Sequence, residues 1–404
     1  MLERALLQMR MYKALLLLSV ISLTPQSYAV ADAPTSFAFT GSGYGHGVGM
    51  SQIGAKARAL AGESATAILN YYYKNVSILP VVDTQTIRVN IGHLLKAASF
   101  QVTSPDSSLR IYSGEIGQLQ EQSPSASFGA REKVTATIQG NNVLAGNVIA
   151  KTITVRWAGA NATVSMTSLG KSTKYRYGQI QIKAVNGALE VTNSLSLHDE
   201  YLWGISEMSS AWPAAALQAQ VIAARSYALS KMDSVRTSCD CNVYGSSVDQ
   251  NFVGFAKESE PKIGSLWKAA VTQTNIDSST SLAILSQGKP IQAYYFSSSG
   301  GATQSTADAW GEASSYTQSV ADPASVDVKL NPRYAQWSAS ADQSLVASAF
   351  LLPDVLSLEI VSRNSAGAVT YIKGISSTGA TKLLRGDTFR SRVKLPSPYF
   401  QLAP

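Results

Sequence analysis

Between Thr86 and Tyr201 apolar residues fall on alternate positions: Ile87, Val89 and Ile91; Leu109 and Ile111; Val134, Ala136 and Ile138; Ile153, Val155 and Trp157; Ile180 and Ile182. A period of two places them on one face of half-buried strands, and turns such as Gly140-Asn141-Asn142 separate the strands. Further along, the period lengthens. Leu217, Val221, Ala224 and Ala228 recur at helical spacing behind Pro213, which suits a first helical turn because its missing N–H has no partner there. A helix is therefore predicted from near Trp212, capped by Ser209 or Ser210, with Gln218 and Arg225 on a second face open to a polar site. Shorter helices are predicted from Ser51 as cap through Leu60, from about Ser64 to Tyr73, and over residues 261–273. Residues 282–285, 291–296, 356–362 and 368–375 read as strands, as does the stretch from Phe389-Arg390 to Phe400. The pattern as a whole predicts an α+β, β-rich module in which a central helix and additional short helices surround one cleft.

Composition narrows the setting. With 404 residues, 45% of them hydrophobic, the chain can bury a core. Its net charge of +7 favours an anionic polymer such as wall teichoic acid or peptidoglycan. Lys and Arg are scattered singly, without the clustered basic face that nucleic-acid binding requires, so no nucleic-acid partner is expected. Arg4, Arg10 and Lys13 precede the apolar run 14–23 and then Ser27-Tyr28-Ala29, which reads as a secretory signal over residues 1–29. The run is short for a membrane span, so a secreted chain with no integral membrane segment after cleavage is expected. Cys239 and Cys241 either close a small disulfide or remain free thiols.

Three stretches carry candidate chemistry. Glu207 stands in an otherwise uncharged turn between Ile205 and Trp212, ahead of the predicted helix. Partial burial there raises a carboxyl pKa and lets it hold a proton at neutral pH; the other reading is that Glu207 only complements the positive end of the helix dipole. Residues 40–52, TGSGYGHGVGMSQ, set glycines at alternate positions around His46 and lead to Gln52, which lets main chain approach a ligand or a neighbouring segment closely. Residues 297–303 form a polar loop in which Ser298, Ser299 and Gly300 either hydrogen-bond a sugar or simply connect strands. Arg225, Tyr227 and Tyr244 are candidate orienting groups, each with a packing alternative, and His46 either contacts substrate or braces its loop. His93 and His198 lack a neighbouring ligand pattern and read as ordinary surface or core residues.

EMSSAWPAAALQAQVIAARSYAL, residues 207–229, resembles the signature of the SpoIID/LytB family, the stage II sporulation protein D and amidase-enhancer family. Ser209 stands where that family usually has Pro. Gly45 to Tyr73 resembles the family's GHGVGMSQ motif, which ordinary members carry at their C-terminal end, so the resemblance implies a circular permutation. Residues 35–80 would then be the moved segment, residues 81–404 the remainder of the module, and residues 113–146 an inserted hairpin or small β subdomain. Permutation predicts that residues 36–40 pair with the C-terminal strand and that His46 lies near Glu207. The family also implies function: Glu207 as the catalytic acid of a peptidoglycan lytic transglycosylase, acting on strands of N-acetylmuramic acid and N-acetylglucosamine, with Trp310 and the Ser298-Ser299-Gly300 loop lining the substrate groove. The alternative within the same family is a non-catalytic glycan-binding enhancer of a cell-wall amidase. Some relatives bind zinc near the position of Cys241-Asn242-Val243-Tyr244, but no His lies just upstream here, so no metal or other cofactor is expected.

Overall fold

The computed structural model describes residues 33–403; the expected secretory signal lies outside them. The alternating region folds into two sheets around one core, antiparallel throughout except that Val243–Tyr244 runs parallel to Thr86–Leu95. One runs in the order Val148–Ala150, Asn142–Ala145, Val134–Gln139, Ala97–Val102, Val164–Ser168, Lys171–Tyr175. The other runs Val243–Tyr244, Thr86–Leu95, Ala188–Ser196, Gln179–Val185, Thr152–Ala158, Ser108–Ser113, Ala126–Phe128. Ile87, Val89, Ile111, Val134, Val155, Ile180 and Ile182 all face this core, so the period-two reading placed the inner faces correctly. Residues 113–146 do not stand apart: their strands extend both sheets, Ala126–Phe128 beside Ser108–Ser113 and Val134–Gln139 beside Ala97–Val102.

The central helix, Ala214–Leu229, starts just after Pro213. Neither serine caps it: Ser210 Oγ donates to Glu260 Oε2 at 2.6 Å, and Ser209 Oγ accepts the Ala211 N–H. Nor is the helix two-faced. Leu217, Val221, Ala224 and Ala228 pack on the sandwich core, while Ala219, Ile222 and Ala223 join a second core with the helices Gln52–Leu60 and Ala65–Tyr72 and the strand Thr280–Ser286. A helix packed on both flanks buries almost every side chain, and alanines are what let the neighbours approach. The two short helices are capped as expected, Ser51 Oγ accepting from the Gly54 N–H and Ser64 Oγ from the Ala67 N–H.

A further core lies in the C-terminal part, where Phe39, Phe350, Ile372, Phe389 and Phe400 meet. Strand Ser36–Gly41 sits in the middle of a three-stranded antiparallel sheet, between Trp337–Asp342 and Phe400–Leu402, with Phe39 opposite Leu402 and Gly41 opposite Phe400. The predicted pairing of residues 36–40 with the C-terminal strand is therefore present. Phe389-Arg390 are not in that strand, however: Gly386–Val393 is a helix whose buried Phe389 and Val393 are four apart, a helical spacing obscured by the charged residues around it. The helix Gln343–Phe350 and the strand Thr381–Arg385 were likewise not anticipated. Of residues 291–296 only Tyr295–Phe296 form a strand, parallel to Met50–Ser51; just before it, the Tyr294 carbonyl is taken by the Met50 N–H and the Tyr73 hydroxyl.

Candidate functional site

The turn that carries Glu207 is fastened from two sides. Upstream, Ile205 bridges Phe252, the Ser206 N–H donates to Asn251 O at 2.8 Å, and Asn251 Nδ2 returns a bond to Ser206 O at 2.7 Å. Downstream, the buried Lys257 donates to Met208 O at 2.8 Å. Glu207 is held between these anchors, half-buried, with Oε1 accepting the Asn251 N–H at 2.6 Å and the Tyr295 hydroxyl at 3.3 Å. Oε2 accepts no hydrogen bond from the described residues. Burial raises the carboxyl pKa above its ordinary value, against the lowering pull of the Asn251 and Tyr295 bonds. Glu207 thus has the environment expected of it.

The Tyr295 bond is itself directed. Tyr201 donates to Gln250 Oε1 at 2.6 Å, which turns Gln250 Nε2 toward Ala224 O and the Tyr295 hydroxyl at 2.9 Å. Since Tyr295 Oη accepts that bond, its own proton is free to go to Glu207. Burial, then the nearby Glu207, lifts the Tyr295 pKa well above its ordinary value, so the hydroxyl stays a donor. Asp249, next in the chain, is fully engaged: Oδ1 accepts from Tyr227 Oη at 2.7 Å and Arg236 Nη2 at 2.9 Å, Oδ2 from Arg236 Nη1 and the Tyr244 N–H, both at 2.8 Å. Burial pushes its pKa up, but these bonds outweigh that and hold it below the ordinary carboxylate value.

His46 lies beyond Tyr295, on the glycine-rich segment. That segment runs against residues 294–299 through Met50 N–H to Tyr294 O, Tyr44 N–H to Ser298 O and Ile53 N–H to Ser297 O. Only glycine permits the approach at Gly43 and Gly49, both at positive φ: a Cβ on Gly49 would stand 1.9 Å from Tyr294 O, and one on Gly43 2.6 Å from Ser298 O. The His46 ring faces Trp310 at 5.4 Å, Phe296 at 5.6 Å and Tyr294 at 6.3 Å between centroids. Its Nδ1 accepts the Val48 N–H at 3.1 Å, which leaves Nε2 to carry the proton, and burial pulls the imidazole pKa down to about 4. His46 and Glu207 therefore flank the same short segment, His46 against Tyr294 and Glu207 against Tyr295. Tyr227, Tyr294 and Trp310 form a row of rings, 6.2 and 4.8 Å apart, and Trp310 Nε1 donates to Asp387 Oδ2 at 3.3 Å.

The other expected site residues are internal. Arg225, on the central helix, is completely buried, Nε 3.0 Å from Asp83, with Thr274, Asn275 and the Leu282 carbonyl accepting three of its other protons. Gln52 is buried too and donates to Gln220 Oε1 at 3.2 Å. Ser298 and Ser299 are buried, Ser299 Oγ donating to Asp322 Oδ2 at 2.7 Å, and Gly300 packs on Tyr399, so this loop is scaffolding under the glycine-rich segment. Tyr244 rests on His93 and Arg236 and reaches the site only through its N–H to Asp249. Sequence reasoning missed Tyr295, Gln250 and Asn251. The amide pair within Asp249-Gln250-Asn251-Phe252 was their one visible signal. Cys239 and Cys241 are joined as a disulfide.

Fold and site together define an α+β, β-rich module in which a turn-borne carboxyl is presented at the head of a buried helix. Residues 185–278, from the end of the strand Gln179–Val185 to just past the helix Gly264–Gln273, match the family described as Stage II sporulation protein, SpoIID. Stage II sporulation protein D of Bacillus amyloliquefaciens is 27% identical over 218 residues, taking in 50% of this chain and 59% of that protein. These residues are similar to the SpoIID family, and the match to the sporulation protein spans less than two thirds of that relative's length. Among the described residues no helix is long and apolar enough to cross a membrane.

Proposed function

We propose that this chain is an exported cell-wall enzyme, a peptidoglycan lytic transglycosylase in which Glu207 serves as both acid and base. One observation carries the reading: Glu207 is a half-buried, pKa-raised carboxyl with one oxygen tied by Asn251 and Tyr295 and the other free, while the neighbouring Asp249 has both oxygens occupied. Ordinary glycoside hydrolysis needs a second carboxylate as base or nucleophile, and Asp249 has no oxygen to spare for water. A transglycosylase needs only one. Glu207 gives its proton to the oxygen linking N-acetylmuramic acid to N-acetylglucosamine, and that C–O bond breaks. The muramic C6 hydroxyl attacks the anomeric carbon and returns its proton to the Glu207 carboxylate. The new ring bond leaves a 1,6-anhydro end, and the attack gains the effective concentration of an intramolecular nucleophile.

The half-buried Tyr294 and Trp310 offer ring faces for a sugar, and His46, neutral because of its lowered pKa, offers an Nε2 proton. The family match and the net charge of +7 support a cell-wall setting. The test is mass spectrometry of muropeptides after incubation of the full chain, and of Glu207→Gln, with purified glycan strands bearing or lacking stem peptides. Anhydro-muramic ends from the wild type alone are expected. Reducing ends would replace the reading with hydrolysis, and bound but uncut strands would replace it with an amidase enhancer.

A further inference from the structure

A groove of about 650 Å³, a volume usual for small-molecule sites, lies apart from Glu207, between the three-stranded sheet and the loop at Arg363 to Gly367. Its floor is a single rung of that sheet. Thr40 faces Ser338 on one side and Gln401 on the other, so two hydroxyls and an amide point the same way at strand spacing, a polar row roughly 10 Å long. All three are exposed. The opposite face of the same strands carries Phe39 and Phe400 into the core, which fixes the polar face outward.

Arg363 forms one wall. Its Nη1 donates to Gly367 O at 3.0 Å and its Nη2 to Phe400 O at 2.7 Å, which holds the guanidinium plane in place. None of the ion pairs among the described residues involves it, and burial alone shifts its pKa, downward. A guanidinium fixed by two neutral carbonyls and lacking a counter-charge is prepared for an anion, and its planar fork suits a carboxylate.

We propose that this groove is a second saccharide site, one that takes a carboxylate-bearing amino sugar: the polar rung meets hydroxyl and amide groups and Arg363 meets the carboxylate. The identity of the ligand rests on the glycan-strand reading above. In peptidoglycan the carboxylate comes from the lactyl group of muramic acid or from a stem peptide, and both would use Arg363 alike. Ser42 of the glycine-rich segment and Gly300 of the serine loop border the groove, while Glu207, Asn251 and Tyr295 do not line it.

The experiment is calorimetric titration of the full-length Glu207→Gln chain, which binds without cutting, with N-acetylmuramic acid and with N-acetylglucosamine, followed by an alanyl stem peptide. Binding of the muramic acid over the neutral sugar is expected for a lactyl source, and binding of the peptide for a stem-peptide source. In either case Arg363→Gln should weaken binding about tenfold, as loss of a charge-assisted bond does. Thr40→Glu, which sets a like charge on the floor, should weaken it at least as much, and Arg363→Lys should restore part of it. Equal binding of neutral and acidic sugars, or acid binding indifferent to Arg363→Gln, overturns the proposal. Failure of the catalytic reading is scored separately, on products of the wild type: charge-dependent binding without anhydro products would leave the groove standing and remove the enzyme.

Discussion

Asp83 and Arg225 are both completely shielded from solvent, and with His198 they form a buried charged group at the central helix. Asp83 Oδ1 lies 2.6 Å from His198 Nδ1, and Oδ2 lies 3.0 Å from Arg225 Nε. Desolvation pushes the Arg225 pKa down to about 10, against the raising pull of Asp83, so the guanidinium is still charged at neutral pH. Asp83→Ala would leave that charge buried with only neutral acceptors, Thr274, Asn275 and the Leu282 carbonyl. Breaking one half of such a pair costs about 3–5 kcal/mol. On the scale of medium-sized domains this is a fall in Tm of roughly 6–20 °C. Replacing both charges, as in Asp83→Ala with Arg225→Met, removes the uncompensated ion and should recover much of the loss, because a buried pair is worth far less than the penalty of splitting it. Thermal and urea unfolding of the two single variants and the double variant measure this directly, alongside glycan-strand binding by the folded fraction. A double variant no more stable than Asp83→Ala, or an Arg225→Met chain of normal stability but weakened strand binding, would refute the reasoning and return Arg225 to the substrate.

Glu207→Gln is expected to abolish product formation while raising stability at neutral and alkaline pH. A carboxyl whose folded pKa is raised stabilises the fold in its protonated form, and that contribution is lost as pH rises through the folded value, so the gain in Tm over wild type should be larger at pH 8 than at pH 4. Tyr295→Phe deletes a bond that favours the ionised form of Glu207; the alkaline limb of the pH–rate profile should move upward while kcat falls, and a downward move would contradict the assigned donor direction. Gly49→Ala, whose Cβ meets Tyr294 O at 1.9 Å, should cost more than about 3 kcal/mol and activity with it, whereas Gly62→Ala, also at positive φ but in open space, should cost about 1–2 kcal/mol with activity intact, both read by urea unfolding and product assay.

Where side chains alternate against a single core, the chain spelled out its own strands, and the capped helices at Ser51 and Ser64 were equally plain. Glu207 was legible because a lone carboxyl in an apolar turn is costly unless the fold gives it surroundings. Its supporting cast was not. Tyr295, Gln250 and Asn251 are ordinary residues in local sequence, and they acquire meaning only when strand and loop meet across more than forty positions. Arg225 was less legible, for the opposite reason: its spacing on the helix was sound, but periodicity says nothing of what packs on the second flank, and there Asp83 supplies a partner from far upstream. Ser298 and Ser299 are a similar case, since loop-like polar residues can face inward when a glycine-rich segment lies over them.

The strand Ser36–Gly41 is the middle member of its sheet, and both flanking strands come from beyond residue 336. During synthesis this strand emerges long before either partner and must wait, its two edges unpaired, until they follow it. The glycine-rich segment continues directly from that strand, so the wall of the site bearing His46 cannot settle until Phe400 to Leu402 close the sheet. Loop closure over such a separation is slow to be rewarded, and it makes assembly of the site a late event in folding. A partly made chain would carry Glu207 without its surroundings, a built-in delay between the appearance of the carboxyl and its completion.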